Sequence, residues 1–276
     1  MAGRVPAVEG ELMKSCVLMA YVPDTASVIK VAAAANRINE ADIKWIVSPY
    51  DEYALEEAIR FKEAKGAPVT VLTYGPERAQ QGLRECLARG ADAAVHVKGG
   101  EGTFGDALAI AKVLAAAVRK TGPFDIIFAG IKGVGSDNAL VGAMVAELLD
   151  MPHVTGVVKL EIGDGSLTAH REIEGGTEVV TAPLPCVVTA QKGLNEPRYP
   201  SLKGIMAAKK VAIQVFAPAD LGLDEGALAG AGATCRWKAL ALLPPKSGGV
   251  ILKGEEDPAA AARELARLLR EQAKAI

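Results

Sequence analysis

Between Ser15 and Asp150 short apolar runs alternate with amphipathic stretches, and few folds accept that order. The runs "SCVLMAYV" from Ser15, "VTVLTYG" from Val69, "AAVHV" from Ala93 and "FDIIFAG" from Phe124 have the length and apolar content of buried strands. The stretches between them have helical spacing. "DEYALEEAIRFKEAKG" puts Leu55, Ala58 and Ile59 on one face and stops at Gly66. "ERAQQGLRECLARG" groups Leu83, Cys86 and Leu87 and ends at Gly90, and "GDALAIAKVLAAAVRKTG" aligns Ala107, Ile110, Ala111, Leu114 and Val118. A further helix is expected over "DNALVGAMVAELLD". This β-α-β-α order predicts an α/β fold with a parallel sheet, helices on both faces and right-handed crossovers. Open sheets of this kind bind ligands beyond the carboxyl ends of their strands.

The second half changes character. "VVKLEI" and "LTAHREI" flank "GDG", and "REI" and "TEVVTA" flank "EGG", so an antiparallel hairpin excursion is expected there. After the strand "VAIQVF" the chain becomes rich in Gly, Pro and Ala without a clear period. A last helix is expected from Asp257-Pro258, a capping residue and a first-turn proline, with Ala262, Leu265, Leu268 and Leu269 as its stripe. The expected organisation is an N-terminal extension (1–14), an α/β domain (15–216) and a C-terminal arm with a terminal helix (217–276) that packs on another chain.

Thirty-one basic residues oppose thirty-three acidic ones, which gives no reason to expect a nucleic acid or anionic membrane as partner. No apolar run reaches the ~18 residues of a membrane span, and "MAGRVPAVEGELMK" lacks the apolar core of a signal peptide, so a soluble, cytoplasmic protein is expected. Cys16, Cys86, Cys186 and Cys235 form no C-x-x-C pair and are expected mostly as small buried hydrophobes. His96, His153 and His170 are too far apart for a metal motif, so no metal site is expected.

"FDIIFAGIKGVGSDNALVG" carries a strand into a glycine-rich turn and a helix. Gly130, Gly133 and Gly135 would let the backbone approach a ligand, Ser136 or Asp137 would cap the helix, and the amides of Asn138, Ala139 and Leu140 would face a phosphate. The pattern is neither a Walker A loop nor a spaced G-x-G-x-x-G, and an ordinary βα turn reads the same way. No catalytic constellation accompanies it: there is no G-x-S-x-G, no Cys–His neighbourhood and no carboxylate pair with a clear role. Glu172 and Glu174 flank Ile173 on a strand and are expected in solvent. A bound cofactor would then do the chemistry.

Four stretches carry a resemblance: "VPDT" (Val22 to Thr25), "SPYDEYALEEAIRFKE" (Ser48 to Glu63), "REIEGGTEVVTAPLPCVVTA" (Arg171 to Ala190) and "LNEPRYPSLKGIMAAKK" (Leu194 to Lys210). Together they resemble the beta subunit of electron transfer flavoproteins, and the similarity runs from about Cys16 to Phe216. The resemblance implies a Rossmann-like domain of the adenine nucleotide alpha-hydrolase type and a heterodimer with an alpha subunit that holds most of a redox FAD. It implies AMP, or a second FAD, in this subunit itself. The site would draw on Leu18, Met19 and Ala20, on Ser48, on Thr73 and Tyr74, and on the loop formed by Gly130, Val134, Gly135, Ser136, Asp137, Asn138, Ala139, Leu140 and Val141. Tyr50 would stand near the flavin ring. The segment Leu194, Asn195, Glu196, Pro197, Arg198 and Tyr199 would dock a partner dehydrogenase, with an exposed Leu194 as anchor.

The sequence also departs from the family pattern. Ala20 and Tyr21 replace a usual Lys-Gln, Ser48 replaces an Asn, and Ala139, Leu140 and Val141 replace an Asn-Gln-Thr. The loop is somewhat closer to bifurcating members, which read D-G-D-T-A-Q-V-G. The resemblance implies an electron carrier between an acyl-CoA dehydrogenase and an acceptor such as a quinone oxidoreductase, with flavin rather than side chains doing the chemistry. Its alternatives are a bifurcating carrier with a second FAD and, from another class, an adenine-nucleotide sensor of universal-stress-protein type.

Overall fold

A computed structural model describes residues 12–32, 37–99, 106–228, 234–235, 238–244 and 248–276. Its strands are β1 (Ser15–Leu18), β2 (Tyr21–Pro23), β3 (Lys30–Val31), β4 (Ile38–Asn39), β5 (Trp45–Val47), β6 (Val69–Gly75), β7 (Ala93–Lys98), β8 (Ile126–Gly130), β9 (His153–Ile162), β10 (Ser166–Ile173), β11 (Gly176–Pro183), β12 (Cys186–Ala190) and β13 (Ile213–Phe216). The helices are α1 (Pro49–Lys65), α2 (Ala79–Arg89), α3 (Ala107–Thr121), α4 (Val141–Leu149), α5 (Leu202–Ala208), α6 (Glu225–Leu228) and α7 (Pro258–Glu271).

The main sheet has nine strands in the order β11-β10-β9-β12-β8-β1-β6-β7-β13. From β9 to β13 every pairing is parallel; β10 and β11 extend the sheet antiparallel at one edge. Gly165 and Gly175, at φ 81° and 79°, make the turns on either side of β10, a backbone region that other residues enter at a cost. β2 pairs with β5 and β3 with β4 in two small antiparallel two-stranded sheets.

Alternation along the strands sorts side chains between two cores. Val17 of β1 and Ile126 and Phe128 of β8 face α1 and α2, against Leu55, Ile59, Leu83 and Leu87. Cys16, Leu18, Ile127 and Ala129 face α3 and α4, against Val113, Leu114, Val118 and Val145. This is the period-two pattern of a sheet covered on both faces. Cys16, Cys86 and Cys186 are buried within it, and Cys235 is exposed. Burial pushes the Cys186 thiol up to about 11, so it stays protonated.

The helices begin and end where the local chemistry allows. α3 starts behind Asp106, whose side chain accepts from the Leu108 and Ala109 N–H groups, and α7 behind Asp257, which accepts from Ala260 N–H. α4 differs from the expected helix. It starts at Val141, not near Asp137, because Asp137 and Ala139 hold left-handed φ angles of 53° and 52°. Two such residues in a row of three break the right-handed helical path, so neither Ser136 nor Asp137 caps the helix.

The chain divides into two compact units between Leu240 and Ala241. Leu221, Leu223 and Leu228 lie on the core shared with α3 and so belong to the first unit. No helix of the described residues is long and apolar enough to cross a membrane.

Candidate functional site

The chain runs from β1 to β6 and β7 on one side, then returns to lay β8 on the other side of β1. The connections therefore diverge between β1 and β8, and a crevice opens at the carboxyl ends of these strands. A cavity of ≈ 200 Å³ lies there. Its floor is Leu18, Met19 and Ala20 after β1, Tyr74 and Gly75 at the end of β6, and Ala129 and Gly130 at the end of β8. Ile110 and Leu114 of α3 close one side, and Asn138, Ala139, Leu140 and Val141 close another.

Asp51 holds the crevice together. It sits in the first turn of α1, and its carboxylate accepts from Ala20 N–H and Gly130 N–H, each at 2.8 Å. One side chain thus ties the ends of β1 and β8. The approach is so close that a Cβ on Gly130 would fall 2.6 Å from Asp51 Oδ1 and from Tyr50 Cβ. Burial pushes the Asp51 carboxyl up to about 7, against the pull of the two backbone N–H groups. Thr73 makes a second tie, donating from Oγ1 to Met19 O at 2.6 Å. His96 makes a third. Its Nε2 lies 2.9 Å from Gly75 O, so Nε2 carries the hydrogen and Nδ1 accepts from Gln80 Nε2 at 3.3 Å.

Of the residues expected at the site, Leu18, Met19, Ala20, Tyr74, Gly130, Asn138, Ala139, Leu140 and Val141 line the cavity. The others stand off it. Thr73 lies behind the floor. Ser48 is fully buried at the cap of α1, its N–H bonded to Ala20 O at 2.9 Å and its Oγ without a partner among the described residues. Tyr50 stands outside, its ring centroid 5.7 Å from Lys132 Nζ. Val134, Gly135, Ser136 and Asp137 form the outer part of the loop. Cβ atoms on Gly133 and Gly135 would meet nothing within 4 Å, so packing in this chain does not require those two glycines.

Sequence reasoning missed the charged lining: Asp51, Arg78 and Lys132. Arg78 pairs with Glu40 (Nη1 to Oε2, 2.9 Å) and lies 3.9 Å over the Trp45 ring. An acid in a first helical turn, or an arginine before a helix, carries no mark of what faces it across the sheet. Ile110 packs against the α3 core, as its helical spacing predicted, and lines the cavity as well, which that spacing does not show.

The segment expected to dock a partner is pinned to α1. Arg198 grips Glu56 with Nε and Nη2 (both 2.9 Å) and reaches Glu63 with Nη1 (2.5 Å). Asn195 Nδ2 donates to Tyr53 O at 3.0 Å and to Glu57 Oε2 at 2.9 Å. These bonds pull the loop down, and Leu194 is half-buried against the core rather than exposed. Glu196 and Tyr199 point outward, and Tyr199 is 92 % exposed. Leu202 and Met206 of α5 are exposed beyond them.

A model of the electron transfer flavoprotein domain matches residues 35–221. The chain is 41 % identical over 267 residues to the electron transfer flavoprotein subunit beta of Bacillus subtilis (strain 168), covering 96 % of this chain and 100 % of that one. The chain belongs to the electron transfer flavoprotein family. The subunit beta of Thermoanaerobacterium thermosaccharolyticum is 37 % identical over 88 % of this chain and 93 % of its own. Subunit CarD of the caffeyl-CoA reductase-Etf complex of Acetobacterium woodii is 37 % identical over 86 % and 90 %. Membership as a beta subunit makes this chain part of an FAD-dependent electron carrier, which works as a heterodimer with an alpha subunit and serves acyl-CoA dehydrogenases. None of these matches supports the sensor or the bifurcating alternative.

Proposed function

We propose that this beta subunit holds AMP in the crevice between β1 and β8, and that the heterodimer passes electrons from an acyl-CoA dehydrogenase to an acceptor such as a quinone oxidoreductase in the cytoplasm. The cavity carries the nucleotide reading. Its apolar floor and the side chains of Ile110 and Leu114 suit a base. The start of α4, which has no side-chain cap and no acid in its first turn, suits a phosphate. At ≈ 200 Å³ the space is small beside the ~300–1,000 Å³ of sites for drug-sized ligands. That favours a mononucleotide over a second FAD.

FAD, when bound, supplies the chemistry by accepting and releasing one electron or two. The residues of this chain would position and shield. Asp51, Thr73 and His96 hold the strand ends that form the nucleotide floor. Tyr50, on the outer side of the same turn, would form a wall toward the flavin held by the alpha subunit. The segment Leu194–Tyr199 would receive the dehydrogenase, and residues 241–276, with α7, would pack on the alpha subunit.

The test is the nucleotide content of the purified heterodimer, with mass analysis of what is released. One FAD and one AMP per heterodimer is the expected result. Two FAD would overturn AMP in favour of the bifurcating alternative. No flavin absorbance, with no reduction by an acyl-CoA dehydrogenase, would overturn the carrier reading itself.

A further inference from the structure

Three charged residues line the cavity, and two of them are engaged in holding the fold. Asp51 ties β1 to β8, and Arg78 is held by Glu40 and Trp45. Lys132 is different. Its Nζ lies 3.0 Å from Asp137 Oδ2 and 5.7 Å from the Tyr50 ring centroid. Asp137 is an exposed partner, with 59 % of its side chain in solvent. It reaches Lys132 because its backbone is left-handed at φ 53° and its N–H is bonded to Gly133 O at 2.8 Å. The contact raises the Lys132 ammonium above its ordinary range. A strained residue beside a cavity is a sign of function when, as here, the strain is an observed backbone angle.

An exposed Lys–Asp pair is held by little free energy, because solvent and salt screen it. A phosphate offers more negative charge and more acceptor oxygens than one carboxylate. The same loop continues through Asn138 and Ala139, which line the cavity, to the uncapped start of α4. The apolar lining from Leu18, Ile110 and Leu114 offers nothing to a phosphate and much to a base.

We propose that Lys132 is the residue that binds the phosphate of the adenine nucleotide, and that Asp137 is an internal stand-in which the phosphate displaces. The proposal rests on the nucleotide reading of the cavity and deepens it by naming the side chain that meets the phosphate and the carboxylate that gives way to it. It also makes Lys132 a discriminator between nucleotides and nucleosides. Removing it should spare the base contacts.

The experiment uses the heterodimer depleted of its nucleotide, with AMP and adenosine as separate probes in calorimetric titrations. Lys132→Ala should weaken AMP about tenfold or more while changing adenosine affinity by less than about twofold. Asp137→Asn should strengthen AMP binding, since it removes the competing charge while asparagine accepts the left-handed backbone as readily as aspartate. Added salt should weaken AMP binding to the wild type more than to Lys132→Ala. Equal losses for AMP and adenosine in Lys132→Ala would make the residue structural and overturn the proposal. So would unchanged AMP affinity in that variant, or weaker AMP binding in Asp137→Asn. A wild-type heterodimer that binds neither probe would sink the nucleotide site and the Lys132 assignment with it. Wild-type binding with an indifferent Lys132 sinks the assignment alone.

Discussion

Asp51 places a carboxyl group out of water at the N-terminal turn of α1, where it receives two backbone N–H groups from different strands. Burial dominates: its pKa rises from 3.8 to about 7, with the charge of Glu52 adding to the rise and the two N–H bonds opposing it. The unfolded chain therefore loses this proton near pH 4 and the folded protein near 7. Between those values the folded state binds the extra proton, so the contribution of Asp51 to stability is fully present below about pH 4 and lost as pH rises through 7. A shift of this size corresponds to about 4 kcal/mol at most. Asp51→Asn removes the titration, and its amide nitrogen cannot accept the second N–H, a loss of roughly 1–3 kcal/mol. Melting curves should show the variant well below wild type at about pH 5 and approaching it by about pH 8. A gap that stays constant over that range would mean that Asp51 does not titrate there. None of this was legible in "SPYDEY", where the acid reads as a favourable helix-start charge. The opposing amides come from residues 31 positions before it and 79 after it.

The loop after β12 shows the same problem one level up. The string "LNEPRY" was legible as a special element, but its orientation was not. Arg198 and Asn195 look like surface polar residues, yet both face α1, and Glu56 beneath Arg198 is only 5 % exposed. Arg198→Ala would leave that carboxylate with Arg60, 3.4 Å away, as its remaining ion-pair partner. Arg198 is itself a third exposed, which discounts the pair, and Arg60 compensates in part, so the expected cost is about 1–2 kcal/mol. The larger expected effect is on docking. A loosened loop should slow electron transfer from the dehydrogenase while flavin and nucleotide contents stay at wild-type levels. Leu194→Ala should do the same by removing the packing that seats the loop. If either variant loses flavin in proportion to activity, the loop supports the cofactor and not the partner. The hairpin signals, by contrast, were fully legible: "GDG" and "EGG" mark their turns because Gly165 and Gly175 take a backbone conformation that few other residues hold cheaply.

Across the whole molecule, legibility follows the range of the interactions that decide each part. The parallel sheet could be read from alternation, because each helix and strand declares its buried face locally and right-handed crossovers restrict the rest. The strand-end crevice then follows from topology, and nine of the residues expected there line it. The chain after residue 216 has no such code. Its first part packs on the α3 core through Leu221, Leu223 and Leu228, while residues 241–276 form a unit of their own. All nine strands of the main sheet and the whole cavity lining fall before that second unit. A chain ended at Leu240 should therefore fold, with far-UV circular dichroism close to wild type and a cooperative melt. The separate unit carries an amphipathic helix, α7, whose stripe of Ala262, Leu265, Leu268 and Leu269 is the surface proposed to pack on the alpha subunit. Burying such a stripe between chains contributes roughly 25 cal/mol per Å² of apolar area, enough for its loss to be felt in assembly. Co-expressed with the alpha subunit, the shortened chain should yield less heterodimer on size exclusion, and the heterodimer that forms should dissociate on dilution. If it assembles as tightly as the full chain, α7 does not serve the alpha subunit. If it fails to fold alone, residues 241–276 contribute to the body of the protein and not to its assembly.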